Sequence, residues 1–160
     1  MKPGPAVSTL LALLDEAFAR RSWHGPNLRG SLRGLSAGKA AWRPGPRRHN
    51  VWEVAIHAAY WKYVVWRQLT GEKRGSFTRP GSNWFASPMP ATEAAWRNDV
   101  AMLVAYHRRL CEAVGRLSDR DLGRTAPGKR EPIGRLVRGI AAHDLYHAGQ
   151  IQLLKRLQGP

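Results

Sequence analysis

Three histidines stand where helical spacing asks for apolar residues. His143 and His147 are four apart, so on a helix both rings leave one face about a turn apart and can grip a single ion. The three-four series through them reads Ile133, Leu136, Ile140, His143, His147, Gln150, Leu154, Leu157, apolar at both ends and polar in the middle. Buried polar groups without partners cost about 2 kcal/mol or more each, so the interior must hold something that satisfies them. A second series, Val54, His57, Trp61, Val64, again places a histidine between apolar neighbours. Three inward imidazoles on two facing helices fit a metal centre with an open coordination position, unlike the closed four-ligand structural sites. On spacing alone, a hydrogen-bonded core group is an equal alternative.

The neighbours of these residues suggest supporting roles. Gln150 follows His147 by three on the same series and can bond its ring. Asp144 or Glu53 could accept the other ring N–H of a ligand histidine and set its tautomer, although Glu53 equally suits a helix start. His107 lies on an inward face of another helix, where it either lines the same cavity, adds a fourth ligand or bonds a core neighbour. His24, in Trp23-His24-Gly25-Pro26, is placed to reach a pocket mouth, and His49 reads as an exposed helix-start residue. Trp61, Tyr60 and Tyr146 flank the three histidines and would wall the site, or simply pack. Cys111 reads as a small apolar filler rather than a nucleophile.

Four helices must carry these residues. The first spans about residues 6–23, with Val7, Leu10, Leu14 and Ala17 on one face and Ser8 as a possible cap. Residues 24–49 are irregular, with Leu28, Leu32 and Leu35 able to form two helical turns before the loop at Trp42-Arg43-Pro44-Gly45-Pro46. The second helix spans 50–70, capped by Asn50 with Glu53 three residues on and stopped by Gly71. The connection from Gly71 to Ala91 is long for a compact domain, and Trp84 and Phe85 should dock on the helices. The third helix spans 92–117, with Thr92 as cap and an inward series Trp96, Val100, Leu103, His107, Leu110, Val114, Leu117. The fourth spans 132–157, with Pro132 at the first position. The expected architecture is an all-α, four-helix bundle forming one domain over residues 1–160.

Composition excludes several classes. One cysteine permits neither an intrachain disulfide nor a cysteine-rich zinc site, and suits a cytoplasmic location. The N-terminus lacks a signal-peptide pattern, and no stretch nears ~18 uninterrupted apolar residues, so no membrane partner is expected. The net charge of +15 raises nucleic acid as a partner, but twenty arginines against six lysines, scattered along the chain, also fit a plain compositional bias. The densest basic pairs are Arg47-Arg48, Arg108-Arg109 and Lys129-Arg130. Nucleic-acid binding is therefore a minor expectation.

Two segments also carry a family likeness. His143-Asp144-Leu145-Tyr146-His147-Ala148-Gly149-Gln150-Ile151 resembles the C-terminal metal motif of the DinB/YfiT-like superfamily. Asn50-Val51-Trp52-Glu53-Val54-Ala55-Ile56-His57, followed by Trp61, resembles its second-helix motif. The resemblance covers nearly the whole chain. It implies an up-down-down-up bundle whose second and third helices are joined by the long crossover. It further implies one divalent metal ion, often nickel or zinc, held by residues corresponding to His57, His143 and His147, and frequently a homodimer. Some members of that family are transferases or isomerases that use a low-molecular-weight thiol.

The leading expectation is thus a metal-dependent enzyme of the thiol S-transferase type acting on a small-molecule substrate. A thiol at the open metal position would be held as thiolate at neutral pH, with Arg47 or Arg48 available to hold its carboxylates. The alternatives are a hydrolase that activates water at the metal, with Glu53 or Asp144 as base, and a non-enzymatic basic module that binds nucleic acid or protein.

Overall fold

A computed structural model describes residues 2–126 and 130–159, and Lys129 of the Lys129-Arg130 pair lies outside them. The chain is all-helical, with no strand element among the described residues. Its helices are α1 (Pro5–Phe18), α2 (Leu28–Ser31), α3 (Ala37–Ala41), α4 (Val51–Thr70), α5 (Glu93–Gly115) and α6 (Ile133–Leu157), with a 3-10 turn at Asp119–Gly123. Among the long helices, α4 packs on α5 and α6, and α1 packs on the same two. No helix among the described residues is long and apolar enough to cross a membrane.

The helix ends follow from local chemistry. Asn50 caps α4 by accepting the Glu53 N–H at 2.8 Å, and Gly71 closes it in the left-handed region at φ 77°. Thr92 caps α5 through the Ala95 N–H. The first helix departs from expectation at both ends. Gly4, not Ser8, is its N-cap, and the Ala6 and Val7 N–H groups donate to the Asp119 carboxylate at 3.2 and 2.9 Å. A carboxylate there also complements the helix dipole. The helix stops at Phe18, five residues before Trp23, because the N–H groups of Ala19 and Arg20 both turn back to the Asp15 carbonyl. Trp23 is left 97% exposed. Pro132 is likewise the N-cap of α6 rather than its first helical residue.

The core explains what α4 can carry. Buried residues run almost without a break from Val51 to Ala59, so this helix is enclosed on most sides over its first half. The crossover between α4 and α5 adds Phe77 and Phe85 to that core, where their rings meet Tyr60, Tyr63 and Tyr106. Arg79 of the crossover bonds the Asp99 carboxylate at 2.6 and 2.8 Å, and the same carboxylate accepts the Trp52 indole N–H. These contacts pin the crossover over one side of α4 and α5.

The inward face of α6 is rotated from the series that spacing suggested. Its covered face is centred on Val137, Ala141, Asp144, Ala148 and Ile151; of the expected series Ile140 and His147 are buried too, while Ile133, Leu136, His143, Gln150 and Leu154 sit at the margin and Leu157 is 56% exposed. The shift arises because α1 and α4 both press on α6 and the covered face is centred between them.

Candidate metal centre

The three predicted histidines meet. His57 and His147 are buried and His143 is half-buried. The Nε2 of His143 lies 3.1 Å from that of His57 and 3.0 Å from that of His147. Nitrogens bound to one ion at about 2.05 Å are about 2.9 Å apart at right-angle geometry and about 3.3 Å apart at tetrahedral geometry. The observed spacing falls in that interval.

Outer hydrogen bonds decide where the ring protons sit. His57 Nδ1 is 2.8 Å from the Asn83 carbonyl oxygen, which can only accept. His147 Nδ1 is 2.6 Å from the Gln150 side-chain oxygen. Both rings therefore carry their proton on Nδ1 and turn an Nε2 lone pair inward. His143 Nε2 can donate to only one of these at a time, and its Nδ1 is buried without a partner. Two or three lone pairs thus converge with at most one proton among them, an arrangement that a cation satisfies and a hydrogen-bonded core trio does not.

Electrostatics agree with this. Burial lowers His143 to a pKa of about 3, with the His147 and His57 rings adding to the effect, and lowers His147 to about 4. His57 is also lowered, again mainly by burial. Near neutral pH the rings are uncharged, the state that ligates metal.

Gln150 takes the role its spacing suggested, and its amide N–H in turn donates to the Tyr146 hydroxyl at 3.1 Å. Tyr146 is largely exposed, and Trp61 stands half-open with its ring 6.3 Å from both His57 and His143. The Trp61 indole N–H donates to the Asn83 side-chain oxygen. Two crossover residues complete the wall. Asn83 adopts φ 66°, a left-handed conformation that asparagine tolerates better than most residues. Trp84 stacks between His57 at 3.9 Å and His49 at 3.7 Å.

Four further candidates lie elsewhere. Asp144 does not bond a ligand histidine; it forms a wholly buried ion pair with Lys62. Glu53 is held by Arg43, by His49 at 2.8 Å and by the Ser87 N–H, and it reaches His57 only through the stacked rings of His49 and Trp84. The reason is the same for both carboxylates: a buried charge takes a cationic partner first. His107 is not a fourth ligand. Its ring stacks on Phe18 at 3.9 Å, touches Lys62 Nζ and Cys111 Sγ at 3.4 Å each, and lies 3.6 Å from Asp15. Burial pushes the Cys111 thiol up to about 11, so it is a filler and not a nucleophile. His24 is exposed beside Trp23 and has no contact with the three histidines.

Spacing missed Lys62 and Asn83. The signal for Lys62 was a lone lysine among the largely apolar and aromatic residues of α4. For Asn83 it was a turn-forming asparagine after Gly81-Ser82, which says nothing about the side chain it would reach.

The family model of the DinB superfamily matches residues 20–151. This chain belongs to the DinB superfamily. Neither a curated protein nor a solved structure matches it. The matched span holds all three histidines of this DinB-superfamily chain, together with Gln150 and the crossover residues that orient two of the rings.

Proposed function

We propose that this DinB-superfamily chain binds one divalent metal ion through His57, His143 and His147 and is an enzyme of the thiol S-transferase type. The observation that carries the metal reading is the meeting of three Nε2 atoms with two lone pairs locked inward by Asn83 and Gln150. A neutral three-imidazole set suits zinc or nickel. When bound, such an ion supplies Lewis acidity that lowers the pKa of a low-molecular-weight thiol at its open position. The chain's own contribution is orientation and shelter. Asn83 and Gln150 fix two rings, while Trp61, Trp84 and Tyr146 border the site. The hydrolytic alternative needs a carboxylate base, and both Glu53 and Asp144 are already paired with cations.

On the same reading the four long helices connect up-down-down-up in one domain, with the 71–92 segment as crossover. The chain pairs as a homodimer, supported by the exposed Leu145, Leu153 and Leu157 on α6. Sedimentation at micromolar concentration checks the dimer.

The test of function pairs elemental analysis of wild type and His147→Ala with a thiol-conjugation screen of metal-loaded protein. About one ion per chain in wild type and little in the variant is the expected result. Equal metal in both removes the site, and silence across common thiols and electrophiles removes the transferase reading.

A further inference from the structure

Beside the metal centre, a cavity of about 800 Å³ lies between the second half of α4 and the crossover. That is within the ~300–1,000 Å³ of small-molecule sites. It shares Trp61 and Asn83 with the wall of the histidine site, and Trp61, Val64 and Gln68 continue along α4 the face that bears His57. Three features of its lining specify a ligand.

The first is charge. Arg67, Arg74 and Arg79 all line it. Arg79 is neutralised by Asp99, but among the described residues neither Arg67 nor Arg74 has a carboxylate within ion-pair distance. Arg67 spends one N–H on the Glu72 carbonyl at 3.3 Å, and the rest of its fork is available. The second is an acceptor without a donor: the Gln68 side-chain oxygen is buried and has no hydrogen-bond partner. Such an atom costs free energy unless something supplies an N–H or O–H. The third is apolar surface, offered chiefly by the half-open Trp61 ring, with smaller areas of the largely covered Tyr63 and Phe77.

We propose that this cavity binds an organic anion that combines a flat apolar body with at least one hydrogen-bond donor. Arg67 and Arg74 take the anionic group, the aromatic rings take the body, and Gln68 accepts from the donor once its covered amide oxygen turns toward the cavity. The site does not depend on a metal. Its occupant lies against Trp61 and Asn83, and Asn83 holds the His57 ring, so binding there reaches the neighbouring centre through one residue.

The test uses two dyes of one shape, anilinonaphthalene sulfonate, which is anionic, and phenylnaphthylamine, which is neutral; each carries one N–H. Binding is followed by dye fluorescence excited through tryptophan, in chelator-treated wild type and in His147→Ala. The anionic dye should bind both proteins alike and about tenfold or more tighter than the neutral one, the worth of a charge-assisted contact. Arg67→Ala/Arg74→Ala should remove that preference, whereas Arg29→Ala/Arg120→Ala, which changes two exposed arginines elsewhere, should retain it. Gln68→Met should weaken both dyes. Circular dichroism confirms that each variant folds. Equal affinity for the two dyes in wild type overturns the proposal, as does equal loss in the two arginine double variants, which would mark general attraction to a basic surface. Unchanged affinities in Gln68→Met overturn the donor requirement.

Discussion

Replacing Lys62 by methionine should be among the most damaging single changes in this chain. Its ammonium group and the Asp144 carboxylate are each without solvent exposure and bond each other. Lys62 also lies 4.8 Å over the Phe18 ring and 3.4 Å from His107 Nδ1. Lys62→Met keeps most of the volume but leaves the carboxylate alone, and Asp144 Oδ1 already lacks a partner. Stranding one member of a buried pair costs about 3–5 kcal/mol. At a urea slope of ~2 kcal/mol per M, the unfolding midpoint of metal-free protein should fall by about 2 M. The loss should depend on pH. Burial pushes the Asp144 carboxyl up to about 6, against the pull of Lys62. A carboxyl raised above its unfolded value contributes stability that is complete below that value and lost as pH rises through the folded one. Without Lys62 the folded value climbs further, so the deficit should be small near pH 5 and grow between pH 6 and pH 8. Lys62→Met/Asp144→Leu should recover most of the loss, because a well-packed apolar pair replaces a buried ion pair at little cost. A deficit under about 1 kcal/mol at pH 8, or a double variant as unstable as the single one, refutes the reasoning.

The three-histidine site yields further expectations. Gln150→Leu should lower metal affinity about 10–100-fold by freeing the His147 ring, as read by chelator competition; an unchanged affinity would mean that the ring needs no outer anchor. Zinc or nickel at about one hundred times its dissociation constant should raise wild-type stability by about 2.7 kcal/mol, and His57→Ala should abolish the shift. In metal-free protein the neutral His143 and His147, lowered to about 3 and about 4, contribute stability above their unfolded pKa that is lost as pH falls toward those values. The urea midpoint of metal-free wild type should therefore drop between pH 6.5 and pH 4, with a shallower drop in His143→Leu/His147→Leu.

How much of this was legible beforehand differs by residue. His57, His143, His147 and Gln150 could be named from spacing, because helical periodicity turns sequence distance into a shared face. The same periodicity missed the centre of the α6 face by about one residue, since which side is covered depends on where α1 and α4 press. Asp144 shows the consequence. Its spacing suggests a partner for a histidine ring, whereas the fold buries it at the centre of that face and brings Lys62 to it. Glu53 was similarly displaced by Arg43 and His49, residues of the loop before its own helix.

The sequence by itself determined an all-helical chain, the caps of α4 and α5, and three imidazoles with a glutamine in register for one of them. Those are local properties, set within a few residues by backbone geometry and side-chain chemistry. Tertiary structure alone decided that the His143 Nε2 lies about 3 Å from those of His57 and His147, so that atoms of two helices meet, that the Asn83 carbonyl fixes the His57 ring, and that Trp84 backs it. It also decided that a basic, aromatic cavity stands beside them. Each of these joins residues more than twenty positions apart, and spacing along the chain carries no information about such distances until packing has selected which faces touch.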